Sequence, residues 1–371
     1  MLPEDKIEEI AIETIRVLVN RFRSLPDENS ELRNMPFHLA FLKAFYKKID
    51  IKNEDEAIRF LTLSSWFHGL STTLGQSYFE NVAHILSDGE KRTFNNYSIP
   101  KSAKMIIEDI ITDLKSGSRK PNMKEEEKML RRALFEKGNT NELERGLNFT
   151  ADVYIETKEE VIMIELKSVR PNAGEMRGEK QKILYGKAYL MYQFPKKKVR
   201  YYLGFPFDPT SNNDPCGYDK ERFASYLIEF SKYFDKDEFL IAGELWDFLS
   251  GEKDTMCEIL KIINDIATPK FEEEFKIVNR FCFINEDALY TENAIDVKKF
   301  EKYIEILNKW KLYSEIELAK IVSKIGIKEI PNPYRKQFEK LINLSMFDDT
   351  GRYNKKRKEK LMGLYDKLEI S

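Results

Sequence analysis

The sequence predicts an α/β fold, a mixed β-sheet core flanked by helices, set between mainly helical N- and C-terminal regions. Three observations predict it. Apolar residues recur at helical spacing over the first part of the chain and again after residue 255. Between 145 and 250 short β-branched and aromatic runs replace that pattern. One helical stretch interrupts those runs, so at least one strand-to-strand connection is long enough for a crossover. The divisions follow at 1–144 (helical), 145–254 (α/β core) and 255–371 (helical).

In order, Ile7, Ile10, Ala11, Ile15, Leu18, Val19 and Phe22 line one face of a first helix. Similar patterns follow at 37–48, 56–67, 73–86 and 102–115. "SGSRKPN" (116–122) ends them with Gly and Pro and reads as a loop. The strands are "ADVYIE", "VIMIELK", "VRYYLGFPF" and "EFLIAGEL", with a helix at 175–193 between the second and third. The order strand, strand, helix, strand, helix, strand, helix gives a mixed sheet.

Composition sets bounds. The chain has 371 residues, 33% of them charged, and a net charge of −2, so any site for a polyanion is a local patch. Cys216, Cys257 and Cys282 lack CxxC spacing. That argues against a zinc site and a disulfide framework and fits a reducing compartment. No apolar run approaches membrane length and no signal peptide opens the chain, so a cytoplasmic protein without membrane attachment is expected. There is no GxxxxGK[ST] motif, hence no expected nucleotide cofactor.

The chemistry concentrates in "ADVYIETKEEVIMIELKSVRP" (151–171). Strand side chains alternate, so Glu165 and Lys167 share a face while Leu166 takes the other. The charged "ETKEE" permits a turn near Lys158, which brings Asp152 opposite Ile164 or Glu165. Two close carboxylates repel unless a proton or cation lies between them. Oxygen-rich sites of this kind suit Mg²⁺, which polarises a phosphoryl oxygen and acidifies a bound water. A lysine beside the pair suits phosphodiester hydrolysis. Residues 167–200 carry ten Lys/Arg against two Glu, a local excess that suits a polyanionic backbone. A solvated helix face would also account for that excess.

Asp152 followed by Glu165-Leu166-Lys167 on a hairpin and then a helix resembles the PD-(D/E)xK nuclease core, with Ala151 where the proline of that name would stand. The stretch "IELKSVRPNAGEMRGEKQKILYGKAYL" (164–190) resembles type II restriction endonucleases of the MjaII type, and "FLIAGELWDFLSG" (239–251) resembles a late strand and helix of the same enzymes. The resemblance implies a restriction-endonuclease-like core and Mg²⁺-dependent cleavage of double-stranded DNA at a short palindrome, GGNCC. It implies Asp152, Glu165 and the Leu166 carbonyl as metal ligands and Lys167 beside the attacking water. Glu80, in "TLGQSYFENVAHIL", is the candidate for a further acid on an earlier helix, although an exposed helix glutamate would pattern the same way. His84 follows it by four residues on the same helix face and reads as a structural histidine.

DNA contacts are expected from Arg170, Asn172 and Arg177, just past the catalytic strand, and from Lys180 and Lys182 early in the following helix. Arginine and lysine read guanine in the major groove or position phosphates. The basic "RYNKKRKEK" (352–360) is either a backbone clamp or a solvated helix end. A palindromic site implies a homodimer. Two other readings stay open: a structure-specific repair or recombination nuclease on the same core, and a non-catalytic DNA-binding protein.

Overall fold

A computed structural model describes residues 1–26, 36–136, 142–167, 173–211 and 214–368. Three helices come first: α1 (Glu4–Arg23), α2 (Pro36–Leu42) and α3 (Glu54–Thr73). Then follow α4 (Phe79–Ser87), β1 (Glu90–Phe94), β2 (Ser98–Pro100), α5 (Lys101–Ser116), α6 (Met123–Phe135), β3 (Leu143–Arg145), β4 (Phe149–Glu156) and β5 (Glu160–Leu166). The middle of the chain continues with α7 (Ala173–Gln193), β6 (Lys198–Phe205), α8 (Lys220–Tyr226), α9 (Phe230–Tyr233), β7 (Phe239–Ile241), α10 (Gly243–Ser250) and α11 (Thr255–Ile266). The last helices are α12 (Phe271–Val278), α13 (Val297–Lys309), α14 (Tyr313–Ile327), α15 (Asn332–Ile342) and α16 (Lys355–Lys367).

These elements gather into two compact units. One holds Met1–Leu2 and Phe79–Glu258; the other holds Pro3–Tyr78 and Ile259–Ser371. The first contains the sheet, in the order β1-β4-β5-β6-β7. β1, β4 and β5 pair antiparallel, whereas β5, β6 and β7 pair parallel, so the sheet is mixed.

β5 lies at the centre and reads as continuously apolar because both its faces are covered. Val161, Ile162, Met163 and Ile164 are all buried. Helix α7 lies over the face that carries Tyr201: a Cβ on Gly186 would come within 2.8 Å of the Tyr201 ring. The opposite face meets α10, and a Cβ on Gly204 would reach Ile164 at 2.7 Å and Leu245 at 3.2 Å. Both glycines are therefore required by close approach. Edge-to-face rings of Phe205, Phe223, Phe230 and Phe239 pack together at the β6–β7 side of the sheet.

β1 is an edge strand that sequence periodicity does not reveal. Its pairing with β4 is irregular: Glu90 faces Tyr154 but Arg92 faces Ala151, so Lys91 opposes both Asp152 and Val153. A β-bulge of this kind re-aims side chains and is common beside active sites.

The second unit is helical and has its own core around Trp310, Phe271 and Phe347. Its charged interior is a correction to the basic C-terminal stretch as a set of free cations. Arg357 of α16 is fully buried, donates to Glu315 of α14 at 2.9 and 3.2 Å, and lies over the Phe281 ring.

The cysteine expectation is also corrected. Cys216 and Cys257, 41 residues apart, form a disulfide with a Cα separation of 5.8 Å. Chain spacing gave no sign of it because the fold, not a local motif, brings these residues together. Cys282 stays a free thiol. Among the described residues no helix is long and apolar enough to cross a membrane.

Candidate active site

The β4–β5 pairing sets Val153 opposite Ile164 and Tyr154 opposite Met163. Continued by one residue, that register puts Asp152 across from Glu165 on one face of the sheet. Asp152 Oδ2 accepts from the Leu166 backbone N–H at 2.9 Å, which ties the two strand ends together. Lys167 follows, its own N–H bonded to the Gly204 carbonyl of β6.

Helix α7 closes this face with an acid and a base one turn apart. Lys167 Nζ lies 2.8 Å from Glu179 Oε1 and 3.2 Å from Glu165 Oε1. Lys182 Nζ lies 2.6 Å from the other Glu165 oxygen, Oε2. That last contact lacks hydrogen-bond geometry, and Oε2 is buried without a hydrogen-bond partner. Burial pushes the Glu165 carboxyl above the ordinary glutamate range, and the nearby Asp152 charge adds to the push; Lys182 and Lys167 oppose it. Burial would depress the Lys167 ammonium, but Glu165 and Glu179 outweigh it and hold its pKa above the usual lysine value.

A second group approaches from α4. Glu80 Oε2 pairs with Lys91 Nζ at 2.7 Å, and the same ammonium lies 3.4 Å from Asp152 Oδ1. His84 Nε2 lies 2.6 Å from the Asp152 carbonyl oxygen, so the ring braces the backbone that carries the acid. The i, i+4 spacing of Glu80 and His84 lets His84 meet β4 while Glu80 meets Lys91 of β1.

The donor set is chemically suited to a hard divalent cation. Asp152 and Glu165 supply carboxylate oxygens, one of them buried and without a hydrogen bond, and the Leu166 carbonyl follows Glu165 directly in the chain. Among the described residues no three acidic, histidine or cysteine side chains are already arranged as a metal cage. Lysines stand on the carboxylates instead.

Asp152, Glu165, Lys167 and Glu80 are thus brought to one end of the sheet. Arg177 is exposed on the first turns of α7. Arg170 and Asn172 lie outside the described residues. Lys182 is engaged with Glu165 rather than free for DNA. Lys180 is corrected: its ammonium is fully buried between Glu126 at 2.5 Å and Glu238 at 2.7 Å, inside the protein where no phosphate reaches. A helix covered on several sides hides which of its lysines point inward. Sequence reasoning missed Lys91 altogether, since one lysine in the charged run "GEKRTF" carries no signal.

A mixed five-stranded sheet flanked by helices, with acids and lysines gathered at the ends of its central strands, is the architecture of the restriction-endonuclease-like enzymes. Residues 3–267 match the family described as type II restriction endonuclease, HinfI. The type II restriction enzyme MjaII of Methanocaldococcus jannaschii is 61% identical over 367 residues, covering 99% of this chain and 98% of that protein. No solved structure matches the chain. The chain belongs to the HinfI family of type II restriction endonucleases.

Proposed function

We propose that this endonuclease hydrolyses phosphodiester bonds of double-stranded DNA with Mg²⁺ at a short palindrome, GGNCC. The observation that carries the mechanism is the opposition of Asp152 and Glu165 across the β4–β5 pair, with Lys167 Nζ 3.2 Å from Glu165. The resemblance to MjaII-type enzymes and the 61% identity to MjaII support the recognition site.

Asp152, Glu165 and the Leu166 carbonyl would hold the cation. Bound Mg²⁺ supplies charge neutralisation at a phosphoryl oxygen and a lowered pKa for the attacking water. Lys167 orients that water. Glu179 Oε1, 2.8 Å from Lys167 Nζ, gives that ammonium a partner besides Glu165 and so a fixed place. His84 keeps the Asp152 backbone in position. Attack by water forms one P–O bond and breaks another; one product end carries the phosphate and the other a hydroxyl.

Arg177 contacts DNA from the start of α7, and Arg170 and Asn172 complete that contact set. Each chain carries one such cluster, and a palindromic duplex presents two strands, so two copies act as a homodimer. The enzyme works in the cytoplasm, where the DNA it cuts is found. The test is digestion of a sequenced plasmid with Mg²⁺ by wild type, Glu165→Ala and Lys167→Ala. Discrete fragments ending at GGNCC, lost in both variants, are expected. A smear, or cleavage that survives both substitutions, overturns the reading.

A further inference from the structure

We propose that Lys91, anchored on Glu80, is a tethered counter-cation that competes with the divalent ion for Asp152, and so sets how readily the site takes up metal. The proposal rests on the metal-binding role assigned above to Asp152 and Glu165.

Three observations lead to it. The β4 bulge places Lys91 opposite Asp152, outside the regular ladder. Of the two Asp152 oxygens, Oδ2 is occupied by the Leu166 N–H, leaving Oδ1 as the oxygen without a backbone partner; Lys91 lies on that one, at 3.4 Å. The same ammonium holds Glu80 Oε2 at 2.7 Å, so one cation joins a strand carboxylate to a helix carboxylate. A divalent ion held by Asp152 and Glu165 would need the Asp152 oxygen that Lys91 covers. Ammonium and metal cannot both occupy it. The competition is winnable by the metal because Lys91 is 49% exposed and its four-carbon stem can swing its charge into solvent. Once displaced, the ammonium sits at the rim of the site, where a DNA phosphate offers it a new partner. Substrate and metal loading then favour one another through this side chain.

The test is calorimetric titration of Mg²⁺ into the DNA-free full chain, comparing wild type, Lys91→Met, Lys91→Arg and Glu165→Ala. Lys91→Met is expected to bind Mg²⁺ about threefold to tenfold more tightly, the range for loss of one or two partly exposed ion pairs. Lys91→Arg should keep the wild-type affinity, and Glu165→Ala should lose the site. A merely structural lysine would give weaker binding and a lower melting temperature in Lys91→Met, not tighter binding. Unchanged or weaker binding in Lys91→Met, with binding lost in Glu165→Ala, overturns the competition alone. Unchanged binding in Glu165→Ala overturns the metal site itself, and the competition with it.

Discussion

Lys180→Met separates a structural lysine from a DNA-binding one. Lys180 lies fully buried between Glu126 and Glu238, at 2.5 and 2.7 Å, with Phe234 beside it. Methionine keeps most of the volume and removes the charge, leaving two buried carboxylates facing each other. Breaking a buried ion pair by deleting one partner costs about 3–5 kcal/mol. For a unit of this size each kcal/mol is worth about 2–4 °C, so the melting temperature should fall by about 6–20 °C near neutral pH. Burial already holds the Glu126 carboxyl above its ordinary range. Losing Lys180 raises it further, so one of the two acids takes a proton on mild acidification and the penalty shrinks. Thermal unfolding followed by circular dichroism at about pH 8 and about pH 5.5 reads both effects. Adding Glu238→Gln should recover part of the loss. An unchanged melting temperature, together with a salt dependence of DNA binding reduced by about one phosphate contact, would refute the reasoning.

Further outcomes follow from other sites. The Glu165 carboxyl titrates above its ordinary 4.5 in the folded chain. Its stabilising contribution is therefore present below the unfolded pKa and lost as pH rises through the folded one, so Glu165→Gln should melt higher than wild type at neutral pH and alike at strongly acidic pH. By the same shift, Mg²⁺ binding should weaken on acidification before the ordinary glutamate range is reached, which calorimetry across pH can check. Arg357→Met strands the buried Glu315 and should cost about 3–5 kcal/mol in a denaturant titration, whereas Lys356→Met on the exposed side of α16 should cost less than about 0.5 kcal/mol. Thiol titration of unreduced, unfolded protein should find one free cysteine, Cys282; three would exclude the Cys216–Cys257 bond.

The hairpin that carries Asp152 and Glu165 was legible because two signals agreed. Two short apolar runs gave the strands, and a charged turn at 156–160 fixed the register to within one residue of the observed Val153–Ile164 pairing. The bulged edge was not legible. "EKRTF" alternates poorly, as edge strands blunted by charge do, so β1 and its Lys91 left no mark. The basic excess over 167–200 misled for a related reason. A count of charges does not distinguish Arg177, which is exposed, from Lys180, which is buried against acids contributed by α6 and by the segment before β7. Glu126 and Glu238 are more than 50 residues away on either side, so no local pattern joins them to it.

The division into two units bears on the order in which a ribosome can finish this molecule. The sheet-bearing unit is almost continuous along the chain, from Phe79 to Glu258, and every strand of its sheet is made before residue 242. The helical unit is split across both ends: Glu8 of α1 accepts hydrogen bonds from Ser314, and Asn20 donates to the Thr350 carbonyl. At synthesis rates of about 5–20 residues per second, the apolar stripe of α1 waits many seconds for its partners. The carboxylate cluster can therefore assemble on the nascent chain while the helical half is still incomplete, and chains stopped early would carry that cluster while α1 still lacks its C-terminal partners.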